Sequence, residues 1–275
     1  MSPLPVPTAS GLRLRQVCLV APQLAPAVDA LQATFGVPVC HRDPNVAAFG
    51  LENALFAWGH SFLEVVSPTR PGTAAGRFIE RSGGLGGYML IFDCTDPAEY
   101  RARAASLGVR VAFNIDLPGY RGVQLHPRDC RAAMLEFDHT QGGEALDGPY
   151  HPAGSHWQAA RRPDLVQGLA QVEVRSHDAA GLAAHWARLM GVSHQPDGLG
   201  GHQLALAFGA IRVAPLAAHQ AAGTPEHLAC LRVQVGHPVR VLAAAAQAGC
   251  AVADGRFALA GVQFEPIQAG LVSND

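Results

Sequence analysis

Leu14-Arg15-Gln16-Val17 begins the first strand-like stretch of the chain, and a related stretch, Leu169-Ala170-Gln171-Val172, begins another in the second half. The same separation carries Gly36-Val37 onto Gly191-Val192 without a gap. Matches that recur at one fixed separation indicate a duplicated structural unit. The sequence therefore predicts two related halves, each opening with a strand that carries a glutamine at its third position.

Between these anchors, both halves predict a strand, a turn and an amphipathic helix. The helices are expected at 25–35 and 179–190, and in the second helix the apolar residues recur at helical spacing. Gly36 and Gly191 follow directly, where the end of a helix favours a residue with positive φ. Each helix is followed by short predicted strands, at 47–49, 54–58, 61–66, 203–208 and 210–214.

A second, weaker repeat relates the later parts of the two halves. Each contains an apolar strand, a proline at the first position of an alanine-rich helix, and a glycine stop. The matched residues are Leu90, Asp96-Pro97 and Gly108 with Leu231, His237-Pro238 and Gly249. Leu135-Glu136 likewise matches Phe264-Glu265. The sequence thus predicts four β-α-β-β-β units. Three consecutive strands after each helix disfavour the alternative of a doubly wound parallel fold.

Composition narrows the class of protein. The chain has 275 residues, of which 49% are hydrophobic and 15% charged, with a formal net charge of −2. This balance supports a large core and offers no basic surface for nucleic acid or an anionic membrane. The six cysteines form no CxxC pair, which is typical of free thiols in a reducing compartment. Since the chain shows neither the order of a signal peptide nor a run of bilayer-spanning length, a cytoplasmic protein is expected.

Several motifs in this order resemble the vicinal-oxygen-chelate (glyoxalase/bleomycin-resistance) superfamily, and within it the glyoxalase-like domain proteins. They are the opening strand at 14–17, Phe35-Gly36-Val37 at the end of the helix, Phe62-Leu63-Glu64-Val65, Gly87-Tyr88-Met89-Leu90-Ile91-Phe92, and the closing segment from His126 through Met134-Leu135-Glu136-Phe137. Each motif alone is common, whereas the ordered and repeated set is fairly specific.

The resemblance implies an α+β fold in which four βαβββ units pair into two cup-like mixed-sheet half-barrels. The first glyoxalase-like domain is expected at 1–142, with units at 12–80 and 86–140. A second, degenerate domain is expected at 165–275, with units at 167–217 and 226–268. The linker at 143–164 is interpreted as a solvated connection across the surface, and the stretch Gly83-Gly84-Leu85-Gly86-Gly87 as a flexible hinge between units.

The resemblance also implies a metal site inside the cup, with one ligand from the first and last strand of each unit. Carried over, these positions are Gln16, Glu64 and Glu136, with Met89 where a histidine is usual. An oxygen-rich set favours Zn²⁺, Ni²⁺, Mn²⁺ or Mg²⁺. In the second half Gln171 and Glu265 remain, whereas Ile211 or Arg212 replaces Glu64 and Cys230 replaces Met89, so that half is interpreted as degenerate.

Alternation along one strand places His60, Phe62 and Glu64 on the same face. His60 could supply a nitrogen ligand in place of Met89 or act as a general acid or base, since a histidine exchanges a proton near neutral pH. His60 and Glu136 are the candidate catalytic groups. The candidate substrate pocket consists of Trp58, Phe62, Met89 and Tyr120.

Three functions follow from these residues. The favoured one is a metal-assisted lyase, isomerase or epimerase acting on a small oxygenated metabolite in the first cup. The alternative is a metal-free small-molecule binding protein of the bleomycin-resistance kind, which Met89 favours. A pure interaction module is the third. The expected partner is a small-molecule ligand, and assembly as a homodimer is left open.

Overall fold

The structure, a computed structural model, describes residues 11–216 and 223–269. It contains two eight-stranded mixed sheets. The strands of the first sheet are β1 (Arg13–Val20), β2 (Val39–His41), β3 (Leu51–Trp58), β4 (Ser61–Pro68), β5 (Gly87–Asp93), β6 (Val111–Leu117), β7 (Tyr120–Leu125) and β8 (Met134–Thr140). Those of the second sheet are β9 (Val166–Ser176), β10 (His194–Pro196), β11 (His202–Leu204), β12 (Ile211–Pro215), β13 (His227–Val235), β14 (Val252–Ala253), β15 (Arg256–Leu259) and β16 (Val262–Gln268).

The helices lie between these strands in chain order. They are α1 (Leu24–Phe35), α2 (Ala74–Ser82), α3 (Pro97–Ser106), α4 (Pro127–Cys130), α5 (Ala179–Met190) and α6 (Pro238–Gln247). Short 3₁₀ helices occur at Pro44–Phe49, His151–Ala153 and Trp157–Ala160. The predicted glycine stops are confirmed, because Gly36 and Gly191 adopt φ angles of 69° and 66° at the ends of α1 and α5.

Both sheets have the same topology. The first has the order β2-β3-β4-β1-β5-β8-β7-β6, and the second the order β10-β11-β12-β9-β13-β16-β15-β14. In each sheet two units join through an antiparallel pair, β1 with β5 and β9 with β13. The predicted α+β fold of paired βαβββ units is therefore confirmed. The sheets are open rather than closed barrels.

Each strand of the first sheet sends alternate residues to opposite faces. On β4, Leu63 and Val65 belong to the large core, whereas Phe62 and Glu64 lie on the other face. The large core includes buried residues of both halves, and the rings of Phe35 and Phe257 lie 5.8 Å apart. The two halves therefore pack together through this core, and Glu64 lies on the opposite face of the first sheet.

Close contact, not flexibility, explains Gly86, which comes directly before β5. A Cβ on Gly86 would lie 1.6 Å from the carbonyl oxygen of Ala260, and the Gly86 amide donates to the Gly261 carbonyl (3.1 Å). Only a residue without a side chain allows the backbones of the two halves to approach this closely. The predicted hinge at 83–87 is therefore wrong at Gly86.

Two further predictions are corrected. The predicted strand at 47–49 lies in the 3₁₀ helix Pro44–Phe49, which Asp43 caps by accepting a hydrogen bond from the Asn45 amide. The predicted solvated linker contains Tyr150 and Trp157, both fully buried. Tyr150 stacks on Phe62 with ring centroids 4.6 Å apart. The connection is thus packed onto the first sheet, because its aromatic residues cover apolar residues of that sheet.

Candidate functional site

Glu64 lies on the face of the first sheet opposite the large core, here called the first cup. Its carboxylate accepts hydrogen bonds from Gln16 Nε2 on β1 (2.9 Å) and from Asn53 Nδ2 on β3 (2.6 Å). The side-chain Oδ1 of Asn53 accepts from the Asp43 amide (2.8 Å), which turns the Asn53 amino group towards Glu64. Two neighbouring strands therefore hold the carboxylate in one orientation.

Glu136 occupies the corresponding place in the second unit of the same sheet. It accepts hydrogen bonds from Gln124 Nε2 (2.8 Å) and from the Tyr120 hydroxyl (3.2 Å). The same hydroxyl lies 3.0 Å from Asp138, which follows Glu136 on the same face of β8. Each unit thus contributes one carboxylate held by an amide from the adjacent strand.

Neither carboxylate forms an ion pair with any residue that the structure describes, although both are buried. Burial raises the pKa of Glu64. Burial likewise raises the pKa of Glu136 to about 7, the nearby Glu64 adds to the rise, and the hydrogen bonds from Gln124 and Tyr120 oppose it. Burial therefore favours the protonated form of Glu136 near neutral pH.

The raised pKa of Glu136 predicts a stability that depends on pH in metal-free protein. The folded state binds this proton more tightly than the unfolded state, where the pKa is 4.5. The stabilisation is therefore full below pH 4.5 and is lost as the pH rises through 7, by about 3 kcal/mol. Urea unfolding from pH 4.5 to 8 should show a steeper fall for the natural protein than for Glu136→Gln. Parallel curves would contradict the prediction.

Most of the predicted site residues lie together in this cup. Gln16 and Glu64 are hydrogen-bonded to each other, and Tyr120 contacts Glu136. Met89 is buried on the same face, in an apolar group with Cys18, Ile91 and Met134. Phe62 also lies on this face, beneath Tyr150 and Trp157.

Two predicted residues lie elsewhere. Trp58 is in the core on the opposite side of the sheet, with its ring 4.7 Å from that of Phe35. His60 lies in the turn before β4, where its Nδ1 is 3.4 Å from Asp147 Oδ1. Alternation does not extend to His60, because the strand begins only at Ser61. The structure therefore places neither residue beside Glu64.

The sequence reasoning missed Asn53 and Gln124. Both are polar residues in strands that adjoin the ligand-bearing strands, and Gln124 pairs directly with Glu136. Their presence in largely apolar strands was a visible signal. Only the strand order and register show which carboxylate each amide contacts.

The equivalent positions of the second sheet have a different charge pattern. The register places Arg212 opposite Glu173, as Glu64 lies opposite Cys18 in the first sheet. Arg212 forms ion pairs with Glu173 (2.6 Å) and Asp197 (2.5 Å). The counterpart of Glu136, Glu265, pairs with Arg232 (3.2 Å) and Arg256 (2.7 Å). The arginines neutralise these carboxylates of the second half, whereas Glu64 and Glu136 form no ion pair with any described residue.

The first cup offers oxygen ligands suited to a divalent ion. Gln16 Oε1 is buried and has no hydrogen-bond partner in the structure, and it lies beside the Glu64 carboxylate. With Glu136 these groups make a three-residue oxygen set, although no cluster of three histidine, cysteine or acidic residues suited to a metal occurs in the described chain. Hard or borderline divalent ions accept oxygen sets of this kind, so the residues fit such an ion.

Comparison with known proteins identifies the class. Residues 17–190 match the family model of the glyoxalase-like domain, which covers more than half of the chain. The chain therefore belongs to the glyoxalase-like domain family of the vicinal-oxygen-chelate superfamily. None of the curated proteins compared with the chain matches it.

Solved structures share this fold at low identity. A hypothetical protein from Staphylococcus aureus is 11% identical with a TM-score of 0.60, covering 93% of this chain and 100% of that one. A variant of 4-hydroxymandelate synthase from Streptomyces coelicolor is 14% identical with a TM-score of 0.62, covering 89% and 76%. A variant of methylmalonyl-CoA epimerase from Streptomyces coelicolor, bound to 2-nitronate-propionyl-CoA, is 24% identical with a TM-score of 0.42, covering 48% and 99%. At these identities the first two likenesses show the fold alone.

Within residues 11–216 and 223–269, no helix is long and apolar enough to cross a membrane.

Proposed function

We propose that the protein is a metal-assisted lyase, isomerase or epimerase that moves a proton on a small oxygenated metabolite in the first cup. The observation that carries this proposal is the pair of buried carboxylates, Glu64 and Glu136, which have no cationic partner among the described residues. Burying an uncompensated carboxylate is unfavourable, and perturbed acids of this kind are concentrated at functional sites.

Glu136 is the group that exchanges the proton. In the metal-free protein its pKa is about 7, so when it is not bound to the ion it can both accept and return a proton at neutral pH, as an acid–base catalyst requires. Tyr120 and Gln124 hold its two oxygens and limit its rotation. His60 has no role in this proposal, because its ring lies at Asp147 outside the carboxylate pair.

Gln16, Glu64 and Glu136 are proposed to hold a divalent ion, of the Zn²⁺, Ni²⁺, Mn²⁺ or Mg²⁺ type. When bound, such an ion acts as a Lewis acid on a substrate oxygen. The second half, which we propose as a separate degenerate domain after the linker, supports the fold, since arginines neutralise its matching carboxylates.

A metal-free binding protein is the second candidate. Met89 occupies the usual histidine position and lies with Ile91 and Met134 on the same face of the first cup. Thioether and aliphatic side chains suit an apolar ligand better than they suit a hard ion.

Elemental analysis of untagged, chelator-free protein separates the two candidates. The enzyme proposal expects about one equivalent of a divalent metal per chain, or its uptake on incubation with Mn²⁺, Ni²⁺ or Zn²⁺. Protein that remains metal-free after these incubations would rule out metal assistance and leave the binding protein. A metal-loaded protein should then be assayed with isomerase and lyase substrates.

A further inference from the structure

The opening of the first cup carries exposed aromatic residues. Phe49 comes from the 3₁₀ helix that precedes β3, and Phe113 comes from β6 at the opposite edge of the sheet. Their rings meet edge to face with centroids 5.4 Å apart, although 51% of Phe49 and 42% of Phe113 are exposed. The two rims of the sheet therefore approach each other across the cup.

Strand β6 extends this apolar surface. In the register with β7, Phe113 pairs with Gln124 and Leu117 pairs with Tyr120. Paired residues point to the same face of a sheet. Since Gln124 and Tyr120 both bond to Glu136, Phe113 and Leu117 also face the cup. Ile115, between them in the alternation, shares this face. We call Phe49, Phe113, Ile115 and Leu117 the mouth.

Exposed large apolar side chains are concentrated in the mouth. Three of the six large apolar side chains that are exposed in the described residues belong to it, namely Phe49, Phe113 and Leu117. The other three, Leu199, Val239 and Val252, lie in the second half. Clustered exposed apolar groups beside polar ones are typical of a binding surface, whereas single ones need no explanation.

We propose that the mouth binds a flat apolar group of the substrate, an aromatic or conjugated ring, while the oxygenated end of the same molecule reaches Glu136. The assignment of the oxygenated end rests on the proposed function, and the apolar subsite stands on the mouth alone. The substrate class is thus a small metabolite with a carbonyl or carboxyl group and a planar ring.

The spacing of the strands fits a molecule of this size. Phe113 lies one strand from Gln124 and two strands from Glu136. Two strand spacings amount to roughly 10 Å, which is about the length of a ring with a short oxygenated side chain. A second protein chain is a poorer fit, because Phe113 and Leu117 share the face of the sheet that carries Glu136.

Binding of 8-anilinonaphthalene-1-sulfonate, a planar aromatic anion, tests the subsite by fluorescence titration. Phe113→Ala and Phe49→Ala are each expected to weaken binding about tenfold, because each removes one face of an aromatic contact. Phe113→Tyr keeps the aromatic ring and should bind the dye as tightly as the natural protein. Leu199→Ala, which removes an equally exposed apolar group from the second half, should leave it unchanged. Circular dichroism confirms that each variant is folded.

Equal dye affinity in all variants would overturn the inference. It would also be overturned by a dimer in light scattering that Phe113→Ala converts to a monomer, because the mouth would then bind a second copy. Competition by phenylacetate but not by acetate is the supporting result.

Metal uptake by the natural protein, measured beside the dye titration, separates this inference from the proposed function. If dye binding depends on Phe113 but the natural protein takes up no metal, the mouth is retained and metal assistance is rejected. If the natural protein takes up metal but dye binding does not depend on Phe113, metal assistance is retained and the mouth is rejected.

Discussion

Glu64→Gln is expected to lower the affinity for Mn²⁺ by about 100-fold or more while leaving the fold intact, because it removes an anionic ligand without changing the size of the side chain. The hydrogen bonds can be kept. Asn53 would still donate to the new amide oxygen, since the Asp43 amide holds it in place. Gln16 Oε1, which has no partner in the structure, would accept from the new amino group. Isothermal titration with Mn²⁺ measures the change.

Glu265→Gln is the matched control for Glu64→Gln. Glu265 is the counterpart of Glu136 on the second sheet, and its carboxylate forms ion pairs with Arg232 and Arg256. Its removal should leave Mn²⁺ affinity unchanged. Equal losses in the two variants would mean that the ion binds through general surface charge. No loss in Glu64→Gln would reject the proposed ligand set.

Trp157→Ala is expected to lower the free energy of unfolding by about 3–5 kcal/mol, which is typical when a large aromatic side chain is removed from a core. Trp157 is fully buried, and its ring lies 5.0 Å from that of Phe62 on the first sheet. Arg161 also lies over the indole, at 5.4 Å from its centre. The variant should therefore loosen the whole connecting segment. Urea unfolding followed by circular dichroism measures the loss.

His156→Ala provides the comparison one residue earlier. His156 is exposed, and surface substitutions usually change stability by less than about 0.5 kcal/mol. A loss below about 1 kcal/mol for Trp157→Ala would show that the connection behaves as the solvated linker that the sequence predicted. A large loss of stability in Trp157→Ala but not in His156→Ala would show that the connecting segment is part of the core.

The sequence itself determined the features that depend on local periodicity. The match between residues 14–17 and 169–172 reveals the duplication, and the helical spacing before Gly191 predicts 179–190, the bounds of α5. The candidate carboxylates, Glu64 and Glu136, also follow from the motifs around them. These features are readable because chain neighbours and a fixed period produce them.

Only the tertiary structure decided how separate strands meet. Asn53 and Gln124 join the site because β3 and β7 lie beside β4 and β8 in a particular register. Phe49 and Phe113 meet because the fold brings the segment before β3 close to strand β6. No local pattern encodes strand order or curvature, which arise from packing of residues far apart in the chain.

The packing of the connecting segment, residues 143–164, likewise could not be predicted from local sequence. Its glycine, proline and histidine content predicts a solvated loop, yet Tyr150 and Trp157 are buried against Phe62. Composition describes the average behaviour of a segment, whereas burial depends on whether an apolar surface lies within its reach. The first cup supplies that surface, and the gain from burying two large aromatic rings outweighs the local preference for solvent.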